Sequence, residues 1–324
     1  YTKLGFRLPK VSGFVGLRIA GEDRKGSLGG GLGDFFRSGS ELLTSASLRY
    51  APTRDHELSL THSSSYTRPS YRDLLGYTSV ASAAFRREGN SGLRTAYRRG
   101  LSLNYTYMRA AQLELSYTDT EDPIVEAMPP MYGGGITLRR YNLDYSRTLR
   151  ALLVLPLPLV SQKKFSWLAL TILAAQRQWD AGHIEMTDYS AALNTQFVQH
   201  RHSFSLPSDW TVDLGVTYYS GVLYELYRIQ RQWWVDASVS KRMGNLRATL
   251  SARDPFNTNI ARGSYNPEVN GLAFERNWHS PRLELTISYS WGKKSVKAQD
   301  TRARYDDLKR LTTGASEGMN TPAQ

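Results

Sequence analysis

Apolar and polar residues alternate along much of the chain. Near the C-terminal end, one alternating series is Leu283, Leu285, Ile287, Tyr289 and Trp291, interleaved with Glu284, Thr286, Ser288 and Ser290. A period of two places successive side chains on opposite faces of a β-strand, so this segment has one apolar and one polar face. The same alternation recurs at residues 210–218, 233–239 and 246–252. The pattern predicts a chain that is β-strand over nearly its whole length.

Thirteen strands account for the alternation. They are predicted at 1–8, 11–21, 41–50, 55–68, 92–107, 112–122, 136–151, 163–178, 186–203, 208–220, 226–241, 244–254 and 281–292. Six connections of 5 to 26 residues are predicted at 22–40, 69–91, 123–135, 179–185, 221–225 and 255–280. These alternate with six of 2 to 11 residues, at 9–10, 51–54, 108–111, 152–162, 204–207 and 242–243. In an up-and-down sheet, the longer connections therefore gather at one end.

This asymmetry favours a membrane barrel, because soluble up-and-down barrels and sandwiches seldom carry long loops at one end only. The longest apolar run, residues 151–160, is too short for a membrane-spanning helix and contains two prolines. We predict an all-β, antiparallel, up-and-down transmembrane β-barrel with apolar side chains towards lipid and polar ones towards an aqueous lumen. Aromatic girdles at the membrane interfaces are expected from Tyr50, Tyr66, Tyr107, Trp210, Tyr218, Tyr219, Trp233, Trp234 and Trp291.

Composition narrows the possible chemistry. The 324 residues include 41 Lys and Arg against 29 Asp and Glu, a net charge of +12, and no Cys. The absence of Cys excludes disulfides, thiolate zinc sites and cysteine nucleophiles. Basic pairs such as Arg86 with Arg87 and Arg139 with Arg140 imitate a nucleic-acid surface. Barrel walls and loop bases that bind lipopolysaccharide phosphates or attract anions explain them better, so no nucleic-acid partner is expected.

Three other clusters have simpler explanations than catalysis. His200 and His202 share one face of a strand but lack a third metal ligand nearby, which favours a polar pair on the lumen side or near a turn. The glycine-rich residues 26–34 lack the Lys-Ser/Thr ending of a phosphate loop and suggest a flexible extracellular loop. The carboxylates of Asp119, Glu121 and Asp122 lie where a strand enters solvent. We therefore predict no catalytic residue, metal or cofactor, and no enzyme activity.

Four segments resemble a known family. Residues 65–93 read SYTRPSYRDLLGYTSVASAAFRREGNSGL, and the other three segments are 16–18 (GLR), 253–257 (RDPFN) and 287–294 (ISYSWGKK). In this order they resemble the TonB-dependent-receptor-like outer-membrane barrel proteins of Bacteroidota type. The family's Gly-Asn-Pro is here Gly89-Asn90-Ser91, and Arg94 and Thr95 replace the Pro-Glu that usually follows. The resemblance covers nearly all of this chain but only the C-terminal half of a family member.

The resemblance implies a barrel of about 22 strands, of which about thirteen would lie in residues 1–292. A signal peptide, a TonB-contacting segment and a plug precede the barrel in the family. We therefore expect the missing strands and plug to come from a longer protein or from a completing polypeptide. Residues 293–324 are expected to be a polar, disordered tail in the periplasm, which places the long connections outside the cell.

The function implied by the resemblance is nutrient uptake with the TonB system, in contact with outer-membrane lipid and lipopolysaccharide. The ligand is open among a metal chelate, a glycan and a peptide. Ligand contacts are expected from the long connections, at Arg68, Tyr71, Arg72, Tyr77, Arg87, Asn90, Tyr132, Asn257, Asn259, Arg262, Tyr265 and Asn266. The alternative is a non-transporting outer-membrane scaffold, or a secretion or assembly partner, because fold alone does not fix function.

Overall fold

A computed structural model describes most of the chain, and strands dominate it. The described residues are 1–26, 35–76, 78–82, 85–128, 136–265, 272–277 and 281–291. The predicted tail, 293–324, and most of the glycine-rich segment lie outside them. The strands are β1 (Thr2–Arg7), β2 (Val11–Gly26), β3 (Phe35–Tyr50), β4 (His56–Thr67), β5 (Thr78–Ser82), β6 (Phe85–Glu88), β7 (Ala96–Tyr107), β8 (Ala111–Glu121), β9 (Ile124–Ala127), β10 (Ile136–Asn142), β11 (Tyr145–Ser161), β12 (Ser166–Ile184), β13 (Thr187–Leu206), β14 (Trp210–Tyr224), β15 (Tyr227–Met243), β16 (Leu246–Arg253), β17 (Ile260–Tyr265), β18 (Ala273–Asn277) and β19 (Arg282–Tyr289).

Thirteen of these strands form one up-and-down path, as the sequence predicts. Its order is β1-β2-β3-β4-β7-β8-β11-β12-β13-β14-β15-β16-β19, and every pairing along it is antiparallel. Short turns join the strands at one end, here called the turn end. The long connections lie at the other, the loop end, together with two further tight turns. Among the described strands, β1 pairs only with β2 and β19 only with β16.

The register gives the sheet an apolar face and a polar face. Leu60 lies opposite Leu103, which lies opposite Leu115, and all three side chains are exposed. One residue further along, Thr61, Ser102 and Ser116 form the equivalent row on the polar face. Because direct partners in an antiparallel ladder point to the same side, the alternation of each strand is continued across its neighbours. Exposed leucines in such rows indicate an apolar surrounding.

One predicted strand was wrong. Residues 136–151 are divided between β10, which lies in a separate sheet, and the start of β11. Residues 152–161, predicted to lie in a connection at 152–162, belong to β11, and only residues 162–165 connect β11 to β12. Pro156 and Pro158 are tolerated because the pairing of β11 with β8 ends at Val154, so that edge needs no further N–H donors.

An apolar patch on the polar face explains this error. Its buried members are Val154, Leu170, Ile172, Ala174 and Phe197. They occupy positions of β11, β12 and β13 that would be polar in a regular alternation, so these strands are apolar on both faces locally. Without an alternating signal, the sequence does not locate the strand ends.

Two other predicted connections were too long. Residues 179–185 and 221–225 belong largely to long hairpins, β12 with β13 and β14 with β15, which are closed by the two-residue turns 185–186 and 225–226. The first turn residues, Glu185 and Glu225, have φ values of 56° and 50°, the left-handed backbone that tight hairpin turns require. Both hairpins therefore extend beyond their neighbours at the loop end.

The long connections between strands of the main path contain further secondary structure. A four-stranded sheet has the order β5-β6-β10-β9, and β10 pairs with β6 in parallel, the one exception among the described pairings to the predicted antiparallel arrangement. The β17–β18 hairpin joins the upper end of β15 through β17. In the described part of the chain, helix is confined to α1 (Tyr71–Leu74) and one 3-10 turn at Pro207–Asp209. Among the described residues, no helix is long and apolar enough to cross a membrane.

Some side chains face the opposite side from the one predicted. Tyr219 and Trp234 stack at 5.8 Å between ring centroids on the polar face, away from an interfacial girdle. His200 and His202 lie on the apolar face, opposite Val216 and Leu214. Their ring nitrogens bond to neighbours there: His202 Nδ1 accepts from Trp167 Nε1 at 3.0 Å, and His200 Nδ1 lies 2.8 Å from the Thr171 hydroxyl. These bonds satisfy polar groups in an apolar setting.

Candidate functional site

The loop end is organised around a buried apolar cluster, here called the loop core. Its members are Val125, Ala127, Tyr141, Leu143, Ile184, Tyr189, Leu226 and Tyr265, each at most 9% exposed. They come from β9, β10 and the residue that follows it, the tips of the two long hairpins, and β17. Segments far apart in the sequence therefore pack into one body, because burying their apolar side chains together removes them from water.

Two tyrosines add hydrogen bonds to the loop core. Tyr265 Oη accepts from the backbone N–H of Met128 at 2.8 Å, and Tyr141 Oη donates to Glu185 Oε1 at 2.7 Å. Burial raises the pKa of Tyr265 to about 12, although the Met128 bond opposes the shift. Burial, followed by the bond to Glu185, raises the pKa of Tyr141 above its usual range. Both phenols therefore stay neutral at physiological pH.

A second group of buried contacts holds the connection between β4 and β7 in place. Phe35, Leu74 and Leu93 form a buried cluster there. The helix α1 begins with a capping box, in which Ser70 Oγ accepts from the Asp73 N–H and an Asp73 carboxylate oxygen accepts from the Ser70 N–H. Reciprocal bonds of this kind fix the start of a helix. The connection is thereby held against β3.

Charged groups link this connection to β10. Asp73 is 9% exposed, and its Oδ1 lies 3.5 Å from Arg140 Nε. Asn90 Nδ2 donates to the Arg140 carbonyl at 2.8 Å, and the Asn90 backbone N–H donates to the Asp73 carbonyl at 2.5 Å. Arg87 reaches Glu126 at 3.5 Å. Two long connections are therefore joined by both backbone and side-chain contacts.

Glu225, in the β14–β15 turn, is a carboxyl group at this end with a shifted pKa. Burial raises its pKa above the usual range, and the nearby Glu126 carboxylate adds to the shift. The Glu126 N–H, which donates to Glu225 Oε2 at 2.9 Å, and the charge of Arg140 act in the opposite direction. The β14–β15 turn thus places a titratable group at the edge of a cavity on the polar face.

A cavity of about 590 Å³ lies on the polar face beneath this turn. Its floor, here called the polar grid, comprises three rows across β4, β7, β8, β11 and β12. From the loop end downwards, the rows are Ser65, Arg98, Thr120, Ser146 and Asp180; Ser63, Gly100, Thr118, Thr148 and Gln178; and Thr61, Ser102, Ser116, Arg150 and Gln176. All of these except Asp180 line the cavity, as do Glu114 and Glu225.

A second cavity, of about 780 Å³, lies on the polar face of β13 to β16 and β19. Trp234 provides an aromatic surface there, while Arg201, Asp213, Asp236 and Arg253 provide charge. The buried Asp254 closes its upper edge by accepting bonds from the backbone N–H groups of Thr258 and Asn259. Both cavities therefore offer polar binding surfaces beneath the loops.

The structure places the predicted contact residues of the first long connection in different settings. Arg68 is ion-paired with Glu22 beside Arg24, and both arginines line a smaller cavity of about 340 Å³. Tyr71 and Arg72 are exposed on α1, and the Tyr71 ring lies 5.9 Å from that of Phe35. Arg87 and Asn90 belong to the contacts with β9 and β10 described above. Tyr77 and Tyr132 lie outside the described residues.

The predicted residues of the last long connection are also dispersed. Asn257 has a φ of 51°, and its side-chain oxygen is buried without a hydrogen-bond partner among the described residues. Asn259 lines the second cavity. Arg262 is exposed and pairs with Glu275 at 2.8 Å, whereas Tyr265 is 1% exposed inside the loop core. Asn266 lies outside the described residues.

The sequence prediction omitted the polar grid. Its hydroxyls occur as ordinary polar positions of five strands, and only the register shows that they share one surface. The available signal was the alternation itself, which assigns Ser63, Ser65, Thr118 and Thr148 to the polar face. The described residues contain no group of three or more His, Cys, Asp or Glu side chains arranged to hold a metal ion.

Solved structures with a similar fold include a ferric enterobactin receptor and a siderophore receptor. A variant of the ferric enterobactin receptor PfeA from Pseudomonas aeruginosa aligns with a TM-score of 0.54 and 14% identity, over 88% of this chain and 43% of that one. The siderophore receptor PirA from Acinetobacter baumannii gives 0.53 and 13%, over 88% and 44%. This chain therefore spans less than half the length of either receptor, and at such identity the likeness concerns the fold alone.

Sequence comparison identifies the family. A search of curated proteins gave no match. The outer membrane protein beta-barrel family, in contrast, matches residues 1–289, which include all thirteen strands of the main path. The apolar face is then the surface expected towards lipid and the polar face the surface expected towards the lumen. This chain belongs to the outer membrane protein beta-barrel family.

Proposed function

We propose that this chain is the C-terminal part of a TonB-dependent transporter-like barrel of Bacteroidota type, which takes up a nutrient through its lumen. The observation that carries the proposal is the packed loop core above two cavities on the polar face. A receptor needs a rigid rim that positions its binding groups and an aqueous wall below it. A barrel that only anchors partners requires neither.

The complete barrel would have about 22 strands, with the rest of a longer protein or another polypeptide supplying the missing strands and a plug. The thirteen-strand order, with β1 and β19 at its two ends, supports this proposal. So does the coverage of 43% and 44% of the two receptors. Force from the TonB system would move the plug, and no catalytic step is required.

Ligand recognition would combine exposed loop residues with the cavity walls. Tyr71, Arg72 and Arg262 are accessible on the loops, and Asn259 reaches the second cavity. Tyr265 and Asn90 would act by holding the loops in position, because the ring of Tyr265 is enclosed and Asn90 binds the backbone of β10 and α1.

Lipopolysaccharide contact is proposed for the apolar face near the loop end. Arg147 lies over the Tyr145 ring at 4.4 Å, and Arg177 lies over Trp179 at 5.3 Å. The register places Arg177 opposite Leu149, where the apolar rows end. Arginines held by aromatic rings at such a boundary suit phosphate groups. This arrangement supports a periplasmic turn end and C-terminus.

Growth on limiting nutrients tests the proposal. A strain lacking the gene and a strain lacking TonB are compared with the parent on a ferric catecholate as iron source, on an oligosaccharide as carbon source, or on a dipeptide as nitrogen source. We expect both strains to share a defect on one source, with the first rescued by the wild-type gene. Parental growth of the gene-deleted strain on all three, together with recovery of the protein in a stable assembly, would instead indicate the scaffold role.

A further inference from the structure

The polar grid has an unusual supply of unpartnered hydroxyls. Within the described part of the chain, Ser63, Ser65, Ser116, Thr118, Thr120 and Thr148 make no side-chain hydrogen bond. All six line the cavity and are exposed or half-buried. A hydroxyl can donate one hydrogen bond and accept others, so this surface can serve a ligand that offers both kinds of group.

The spacing of the grid suits an extended ligand. Strand geometry places neighbours within a row about 5 Å apart and successive rows about 7 Å apart. Gln178 continues the second row and Gln176 the third. Their amides, which bond to one another and to Asp180, keep further capacity to donate and accept. The repeated polar positions can therefore contact a chain of similar units at several points.

Charge does not favour an anion here. Arg98 and Arg150 are the cationic members of the grid, and they are matched by the acidic side chains of Glu114 and Glu225 in the cavity wall and of Asp180 in the first row of the grid. Sites for phosphate or carboxylate ligands usually present an excess of Arg or Lys. Arg150 lines the cavity, but its Nε and Nη2 atoms are buried, which limits the positive charge that it presents to a ligand.

Gly100 leaves the middle row of the grid open between Ser63 and Thr118. A Cβ added there would meet only Ser63, with its Oγ at 3.6 Å and its carbonyl oxygen at 3.9 Å, which are ordinary contacts. Neither packing nor backbone conformation therefore requires glycine at this position. The missing side chain allows a ligand to reach the hydroxyls of Thr118 and Ser63 on either side.

We infer that the polar grid binds an uncharged, polyhydroxylated ligand of the oligosaccharide class. The inference rests on the proposed transport function for its biological setting, but the binding itself follows from the grid. Multiple hydroxyl and amide partners without a cation excess match the neutral hydroxyls of sugars. An anionic metal chelate would leave most of these groups unused.

Calorimetric titration of the full-length protein in detergent tests the inference. The probes are maltohexaose, cellohexaose, laminarihexaose and mannohexaose, with hexagalacturonate as the anionic counterpart. We expect at least one neutral hexasaccharide to bind more tightly than hexagalacturonate. The double substitution Thr118→Val with Thr148→Val removes two facing hydroxyls and should weaken that binding roughly tenfold, at about 1 kcal/mol or less for each hydrogen bond. Gly100→Leu should abolish hexasaccharide binding, because the leucine side chain would occupy the space above the polar grid.

Matched controls lie on the same face. Thr249 and Thr286 also face each other across two strands but lie outside the grid, so their replacement by Val should leave binding unchanged. Gly39 has open space around its Cβ position and serves as the control for Gly100. Failure of all four neutral sugars to bind would overturn the inference. It would also be overturned if the Thr118 and Thr148 variant lost thermal stability but bound the sugar as tightly as before, because the two hydroxyls would then serve internal packing.

The outcomes separate the two proposals. Uptake of an anionic chelate with no neutral-sugar binding would leave transport standing and refute the role of the grid. Binding of a neutral hexasaccharide without TonB-dependent uptake would support the grid and refute transport.

Discussion

Tyr265 and Met128 are joined across the loop end by a hydrogen bond of 2.8 Å between the phenol oxygen and the backbone N–H, although 137 residues separate them in the sequence. The bond connects the hairpin after β16 to the segment after β9. Because the Tyr265 ring is also 1% exposed within the loop core, one side chain contributes both apolar packing and a polar link between two connections.

Two substitutions of Tyr265 should destabilise the loop core to different extents. Tyr265→Phe keeps the ring and removes the hydrogen bond to the Met128 N–H, at a cost of about 1 kcal/mol. Tyr265→Ala also opens a cavity and should cost about 3–5 kcal/mol. Hydrogen exchange of peptides from β9, β10 and β17 measures both effects. Phe256→Ala, at a side chain that is 66% exposed, should change exchange little. Equal effects of the Phe and Ala variants would contradict the role of the ring.

Protection of the loop core should decrease with rising pH because of Glu225. Burial raises the pKa of this carboxyl in the folded state. The folded protein therefore holds the proton more tightly than the unfolded chain does, and stability falls as pH rises from the ordinary pKa of glutamate towards the raised value. Glu225→Gln should remove this dependence while still accepting the Glu126 N–H. Hydrogen exchange across pH 4 to 8 is the measurement, with the exposed Glu275→Gln as control; an unchanged slope in Glu225→Gln would refute the assignment.

The two faces of β19 should differ in their tolerance of charge. Leu285 is 64% exposed and lies opposite Leu250 on the apolar face, whereas Thr286 lies opposite Thr249 on the polar face. Leu285→Arg should destabilise the protein by about 2–4 kcal/mol near the bilayer midplane, and Thr286→Arg far less. Unfolding free energies of the full-length protein in phospholipid vesicles provide the test. Similar costs for the two variants would show that the proposed faces are incorrect.

Single cysteines should report the orientation of the sheet, since the native chain contains none. Ser79→Cys in β5 and Phe256→Cys at the β16–β17 connection are exposed at the loop end and should react with an impermeant maleimide on intact cells. Asn245→Cys, in the β15–β16 turn, should react only after the outer membrane is permeabilised. Ser264 is half-buried and makes a poorer probe. Labelling of position 245 alone on intact cells would invert the topology and move the loop core to the periplasmic side.

The thirteen strands of the main path and most of the face assignments could be predicted from the sequence because alternation is a local property. Leu283, Leu285 and Ile287 report their common face without knowledge of their neighbours. The prediction failed around β11 and β12, where Leu152, Val154 and Ile172 supply apolar residues to the face that is polar elsewhere. With both faces apolar, the periodic signal that marks a strand is lost.

The sequence by itself determined an up-and-down sheet with one apolar face, since a period of two and alternating connection lengths require no distant contact. Only the tertiary structure decided which connections meet and which hydroxyls share a surface. The sequence predicts that Tyr265 contacts the ligand from a long connection, yet packing against Val125 and Leu226 encloses its ring. Thr118 and Thr148 are 30 positions apart in the chain, and the register between β8 and β11 makes them direct neighbours in the polar grid. Such proximity depends on strand pairing over long sequence separations, which local patterning does not encode.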